Sequence, residues 1–424
     1  MKTMYLDISI PRIVLTRLLG RVWPGAYFAS TSPLHLAEMP EPPLPGPEWV
    51  RVQNRMCGIC GSDLHQLFVD ASLDVAPVAL PAHKRIYLGH EMIGEVTEVG
   101  AAATPFRVGD RVVRWGRADD CRARGRAELC PACARGHRVL CEFASETRDA
   151  HPVGGGFGDS FITPASTLVP VPDGVTDEQA IFTEPIAVAI HAAYRKIAAA
   201  HDNVLVLGCG PIGFLLIQAI KLLQPACHLT AVAEFPWQAE LARQLGADET
   251  FLAHEDGYKA TCELTGARLY EGRGRNRMLL GGFDLIFDVV GIPATLHNAL
   301  RWTRAGGTVV LVGVYLHKMA IDLTPVWHQE VNLIGAVGHD VVTYPSEGLT
   351  DEPSSWAKPS EGFSTQKGEQ VSTFDLALRW LAEGKIQTAP LLTHRFPLSD
   401  YRHAFHTAIA KEQTRAIKVA FTMR

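Results

Sequence analysis

The segment Val204-Leu205-Val206-Leu207 runs directly into Gly208-Cys209-Gly210-Pro211-Ile212-Gly213, and helical character continues to Leu223. A short apolar strand, a G-x-G-x-x-G turn and a helix allow few folds. The first glycine permits the tight turn, and the second lets the backbone approach a pyrophosphate. The third lets helix and strand pack closely, while the N–H groups of the helix start face the anion. A glycine-rich structural turn with no ligand is the bland alternative. The strand before the turn, the helix after it and the alternation around it weigh against that. Gly208, Gly210, Pro211, Ile212 and Gly213 are therefore expected to hold a dinucleotide. The next strand-like run, Leu229–Glu234, ends in a carboxylate 21 residues after Gly213. That is where an acid meets the adenosine ribose hydroxyls, and a carboxylate there repels a 2′-phosphate, so NAD is expected over NADP. Arg243 on the following helix leaves NADP possible.

Around this turn, strands and helices alternate. Trp237–Leu245 reads as a helix, and Phe283–Val290, Thr308–Val314 and Val331–Val337 read as strands. Short β-branched runs separated by helices indicate a doubly wound parallel sheet, so the class is α/β. The chain before residue 180 differs. It has prolines between 24 and 47, then strand-like Trp49–Val52, Met92–Val99 and Asp110–Val113, with a glycine-rich 153–158. This reads as a mostly-β lobe. Met1–Gly20 is expected as an opening strand region, since Lys2, Asp7, Arg12, Arg17 and Pro11 interrupt any signal-peptide core. Ala180–Ala200 and Phe374–Glu383 read as helices, Ile417–Phe421 as a closing strand, and the polar 339–370 as a long loop. The expected domains are 1–185 with 339–424, and 186–338.

Nine cysteines, unevenly clustered in a chain of 424 residues, argue for metal rather than a disulfide framework. One set is Cys57-Gly-Ile-Cys60-Gly-Ser62-Asp63-Leu-His65 followed by Gly89-His90-Glu91. The other is Cys121, Cys130, Cys133 and Cys141. A thiolate, an imidazole and a carboxylate from separate loops make a zinc set. Spacing alone does not choose between Cys57 and Cys60. Taken singly, a buried free cysteine or a satisfied core histidine explains each residue.

In order along the chain, Gly58–His65, Gly89-His-Glu-Met-Ile-Gly94, Gly109-Asp-Arg-Val-Val113 and the Gly208–Gly213 turn resemble the zinc-containing medium-chain dehydrogenases. That family includes liver alcohol, sorbitol and threonine dehydrogenases. The resemblance implies a GroES-like mostly-β catalytic domain beside a Rossmann coenzyme domain. It implies Cys60 and His90 as catalytic zinc ligands, with Asp63 supporting the His90 ring. Phe182-Thr-Glu184-Pro185 resembles the Glu-Pro of the polyol branch, so Glu91 and Glu184 compete as the carboxylate ligand. Gly61 is another polyol-branch trait. Ser62 and His65 match a proton relay. Val312-Gly313-Val314 matches the segment along the nicotinamide, and Lys418 a basic position near the pyrophosphate. The structural zinc lobe of the family has C-x2-C-x2-C-x7-C. Cys130, Cys133 and Cys141 fit, but the first position is Ala127, and Cys121 is expected to supply the missing ligand across an arginine-rich insertion. Cys57 is expected to be a packing residue.

The expected function is hydride transfer between a secondary alcohol or polyol, or the matching ketone, and NAD. A zinc reductase using NADP on a carbonyl metabolite is a second reading, and a catalytically inactive binding protein a third. A zinc-free reductase of quinones or enoyl groups lacks the Cys60 and Gly-His-Glu pattern. A net charge of −5 gives no reason to expect nucleic acid or an anionic membrane, and no apolar run is long enough to span a bilayer. A cytoplasmic homodimer or homotetramer is expected. Residues 66–88 and 153–158, with Trp115, His151 and Phe157, are expected to border the substrate cleft.

Overall fold

A computed structural model describes residues 1–72, 85–115, 120–144, 146, 152–274, 276–345 and 368–423. The chain divides into two compact units. One comprises Met1–Glu184, Leu316–Lys318 and Ala377–Arg424; the other Pro185–Tyr315 and Met319–Leu376.

The first unit is mostly β. It opens with strand β1 (Lys2–Asp7), helix α1 (Ile10–Gly20) and strand β2 (Leu34–Glu38). The helix departs from the expected opening strand. Pro11 lies in the first helical turn, where its missing N–H costs nothing and its fixed φ suits a helix. Strand β3 (Trp49–Gly58) leads into helix α2 (Gly61–Phe68), followed by β4 (Arg85–Tyr87), β5 (Glu91–Val99) and β6 (Arg111–Arg114). Strands β7 (Ser160–Pro164) and β8 (Leu168–Pro170) complete this part. β3 is central, pairing antiparallel with β5, β7 and the closing strand Lys418–Thr422. Its inward residues Val50 and Val52 are fully buried, and Phe157, Phe161, Phe405 and Phe421 join the same core. Phe157, expected at the cleft, is 0% exposed, its ring 4.9 Å from that of Phe421. His151 lies outside the described residues.

The glycine-rich 153–158 holds the backbone of another segment. Gly156 N–H donates to the Gly89 carbonyl at 2.8 Å and Phe157 N–H to Leu88 at 3.0 Å. A Cβ on Gly156 would lie 2.4 Å from Cys57 Sγ, so only glycine lets this strip lie against the Leu88–Gly89 turn that presents His90. Cys57 is the fully buried packing partner expected.

The second unit contains a six-stranded parallel sheet with order β11-β10-β9-β14-β15-β16. Its strands are β9 (Asn203–Leu207), β10 (His228–Ala233), β11 (Glu249–Leu252), β14 (Phe283–Asp288), β15 (Thr303–Leu311) and β16 (Asn332–Gly335). Between β11 and β14 a hairpin, β12 (Arg268–Glu271) and β13 (Arg277–Leu280), adds two antiparallel strands. The strand order reverses between β9 and β14, whose carboxyl ends are the topological switch point. Residues 341–345 and 368–372 pair as antiparallel strands. They belong to the second unit, so the chain returns to the first unit at Ala377 rather than at residue 339.

Candidate metal centre and coenzyme turn

Helix α2 starts at the end of β3, and Cys60 is its N-cap. Asp63, in the first turn, accepts from the Cys60 N–H at 3.0 Å through Oδ2 and from the Gly89 N–H at 3.4 Å through Oδ1. The same Oδ1 lies 3.6 Å from His90 Nδ1. One buried carboxylate thus fixes both loops and turns His90 Nε2 toward Cys60. Burial opposes charge on His90. The Asp63 charge and hydrogen bond, with Cys60, outweigh it and raise the ring's proton affinity well above the usual range. Ser62 Oγ lies 3.5 Å from His90 Nε2.

Cys60, His90 and Glu91 each offer a ligand atom within 4.8 Å of the others. Glu91 has a second engagement. Lys418, 1% exposed, places Nζ 2.7 and 2.5 Å from the two Glu91 oxygens and donates to the Ile59 carbonyl at 3.2 Å. Lys418, matched in sequence to a coenzyme contact, is placed here instead, as the buried counter-charge of Glu91. Burial disfavours its charge, but the Glu91 carboxylate keeps it above the ordinary lysine range. Glu184, in the first turn of the helix Thr183–Arg195, has its carboxyl pushed up to about 7 by burial. His90 and Lys418 pull it down, while Glu91 and Asp63 push it up. Its electrostatic partners thus include His90 and Glu91 of the cluster, with Lys418 and Asp63 beside them.

The second cysteine set is one cluster. Cys121, Cys130, Cys133 and Cys141 are buried, with their sulfurs all within 4.8 Å of one another. Ala127, which occupies the family's first ligand position, is exposed. Asp120 carries Cys121 inward. Its Oδ1 accepts from the Arg122 and Ala123 N–H groups at 2.8 and 3.1 Å, and its Oδ2 receives Arg138 Nε and Nη2 at 3.0 and 2.8 Å. The N–H of Cys133 points at Cys130 Sγ at 3.4 Å. Burial raises the Cys130 thiol, but N–H donors from Cys133 and Glu142 override it and set it at about 7. Four buried, converging thiols suit a closed tetrahedral zinc site.

In the second unit, Gly208–Gly213 links β9 to the helix Pro211–Leu223. A Cβ on Gly213 would lie 1.9 Å from the Gly208 carbonyl oxygen, so helix and turn approach as closely as the motif demands. Glu234 follows β10 and is exposed. Asp288, at the end of β14, was not singled out in sequence. Its Oδ1 accepts from Val290 and Gly291 N–H at 3.0 and 3.3 Å, and its Oδ2 from Thr295 Oγ1 at 2.9 Å and Tyr315 OH at 2.6 Å. Its carbonyl accepts from Val312 and Gly313 N–H, both at 2.9 Å. One buried acid thus sets the 289–292 and 312–315 loops; the only sequence signal was an acid closing an apolar strand.

Residues 46–173 match the family description "Alcohol dehydrogenase GroES-like domain", and residues 211–348 match "Zinc-binding dehydrogenase". Sorbitol dehydrogenase of Arabidopsis thaliana is 30% identical over 389 residues, covering 90% of each chain. The chain belongs to the zinc-containing medium-chain alcohol/polyol dehydrogenases. The L-idonate 5-dehydrogenase of Vitis vinifera is 29% identical, with 89% of each chain covered. The crystal structure of 2R,3R-butanediol dehydrogenase from Bacillus subtilis shares the fold, with a TM-score of 0.66 at 24% identity, covering 92% of this chain and 96% of that one. Membership makes this chain a zinc-dependent oxidoreductase of alcohols or polyols that uses a nicotinamide coenzyme, and its substrates are small molecules. No helix among the described residues is long and apolar enough to cross a membrane.

Proposed function

We propose that this dehydrogenase oxidises a secondary hydroxyl of a small polyol with NAD. Cys60, His90 and Glu184 hold the catalytic zinc, and the four-cysteine lobe holds a structural one. The observation that carries this reading is the Cys60–His90 cluster with Ser62 Oγ 3.5 Å from His90 Nε2. Glu184 is preferred to Glu91 as the third ligand because both Glu91 oxygens already receive Lys418. A carboxyl that burial holds near 7 also gains most from a neighbouring cation. Zinc and nicotinamide, when bound, supply Lewis-acid polarisation of the hydroxyl and the hydride acceptor.

The chain's own residues do the rest. Asp63 orients His90, and Ser62 accepts the hydroxyl proton and passes it toward His65. The side chain of His65 is 43% exposed and releases the proton to water. Gly208–Gly213 bind the pyrophosphate at the helix N-terminus. Val312–Val314 line the nicotinamide, on a loop that Asp288 fixes. Glu234 has no cationic partner among the described residues and Arg243 lies 3.9 Å from Glu240, which favours NAD over NADP. None of the nine cysteines is in a disulfide, which supports a reducing, cytoplasmic setting. The β16 edge of the parallel sheet supports assembly as a homodimer or homotetramer.

The test is turnover with NAD and NADP across polyols, sugars and simple secondary alcohols, for the wild type and Ser62→Ala. Expected are a polyol as best substrate, NAD preferred, and a fall of about a hundredfold in kcat for Ser62→Ala with zinc retained. Unchanged kinetics in that variant removes Ser62 from the proton path.

A further inference from the structure

His65 Nδ1 lies 2.8 Å from Asp70 Oδ2. Helix α2 ends one residue before Val69, which adopts the left-handed conformation at φ 50° and ψ 36°. A β-branched residue rarely accepts that conformation, and such strain persists only where the surroundings enforce it. Its effect is to fold the chain back, so that Asp70 N–H donates to the His65 carbonyl at 3.3 Å and the Asp70 carboxylate meets the His65 ring. The other carboxylate oxygen, Oδ1, is buried without a partner, so the His65 contact is the one hydrogen bond that carboxylate makes among the described residues.

We infer that Asp70 is a positioning residue for proton transfer, locking His65 in the tautomer that receives the proton. The inference rests on the relay reading of Ser62 and His65. An ionised carboxylate only accepts, so a ring nitrogen 2.8 Å away must carry a hydrogen. With the hydrogen on Nδ1, neutral His65 presents a lone pair on Nε2, the nitrogen free to take up a proton. The carboxylate also holds the ring in one orientation between uptake and release, which is the orienting role of an acid behind a histidine base. The balance is simple. Nε2 gains a proton from the relay, Nδ1–H stays bonded to Asp70, and Nε2 returns the proton to water. No oxidant or further reactant enters. Both side chains are about 40% exposed, which leaves an exit to solvent and moderates the effect.

The test uses the zinc-loaded enzyme with Asp70→Asn, Asp70→Ser and His65→Gln. One readout is the single-turnover rate of NADH formation, with Kd for NAD and KM measured alongside, on the polyol or secondary alcohol that the substrate panel selects. The other is the 15N spectrum of histidine-labelled protein at pH 9, which needs no substrate and reports which ring nitrogen of His65 is protonated. Expected are Nδ1–H in the wild type, a shift toward Nε2–H in Asp70→Asn, and a rate about tenfold lower in both Asp70 variants, with KM and NAD affinity within twofold of wild type. An unchanged tautomer in Asp70→Asn overturns the inference. So does a wild-type rate in the Asp70 variants when His65→Gln is slow, and the relay reading then stands. A wild-type rate in His65→Gln overturns the relay reading, and the inference falls with it.

Discussion

A buried ammonium requires a buried counter-charge, and Lys418 finds it in Glu91. The pair makes different demands on the two acids at the metal centre. Glu91 neutralises a lysine with 2% of its side chain exposed, whereas Glu184 is held near 7 by burial and has charge to give. Removing one partner of a buried ion pair leaves the other uncompensated, at a cost of about 3–5 kcal/mol. Glu91→Gln should therefore lose stability on that scale in urea unfolding, while keeping its zinc. Glu91→Gln/Lys418→Met should recover most of the loss, because no charge is left stranded. Glu184→Gln should do the reverse, unfolding near the wild-type midpoint but with zinc reduced by about one ion per chain. Zinc retained in Glu184→Gln and lost in Glu91→Gln would return the ligand role to Glu91.

At the scale of elements, short connections carry the departures from the family's pattern. The Asp120–Arg138 ion pair, with side chains 0% and 6% exposed, holds the 120–126 turn so that Cys121 reaches the place Ala127 cannot fill. Cys121→Ser should therefore cost about one zinc per chain and several degrees in Tm, with the parallel sheet intact by circular dichroism; wild-type zinc content would sink this assignment. A second connection is the turn Asp322–Thr324. The Thr324 hydroxyl and N–H hold the Asp322 carboxyl at about 2 against burial, and an ion pair with Arg301 assists. The folded pKa lies below the unfolded 3.8, so this stabilisation is complete above about pH 4 and disappears as pH falls through 2. With a third of the Asp322 side chain exposed, solvent screening reduces its worth to about 1 kcal/mol. Asp322→Asn should unfold that much more easily in urea at pH 7, and the gap to wild type should narrow at pH 3. A gap that stays constant would separate the stabilisation from the charge.

Sequence made the glycine turn and the parallel strands legible, because each leaves a periodic or spaced signature, whereas the Cys60–His90 pairing came from the family resemblance. β9 and β10 appear within a residue of their expected ends. Helix α1 was missed because its outward residues Ile10, Val14, Leu15 and Leu18 are apolar and 42–56% exposed, which hides the amphipathic period. The roles of Asp70 and Lys418 left no signature either, and that of Asp288 left only an acid closing an apolar strand. Each depends on a partner fixed by the fold: a left-handed residue, a neighbouring strand end, or a strand from the far end of the chain.

At the scale of the whole molecule, the first unit is built from three stretches of chain, and its metal centre draws on both ends of the sequence. Lys418 comes from the last strand and Cys60 from the start of helix α2, just past β3, and the closing strand registers directly on β3, pairing Ala420 with Gly58. The catalytic cluster thus depends on the strand core behind it, whereas the cysteine lobe is a local cluster of its own, closed by residues between 120 and 166. The two sites also differ in access. Cys60 is partly exposed and His90 is 37% exposed in its side chain, but all four lobe thiols are buried. A chelator should therefore strip zinc in two phases. The first should remove about one ion per chain together with all activity, leaving circular dichroism unchanged, and added zinc should restore turnover. The second should be slower, should expose the four lobe thiols to alkylation, and should lower Tm, because those thiolates then lose the cation that offsets their repulsion. Single-phase loss, or loss of the lobe zinc before activity, would show that the two sites are not independent. The measurement is zinc release followed with a metal indicator, alongside turnover and thiol titration on the same samples.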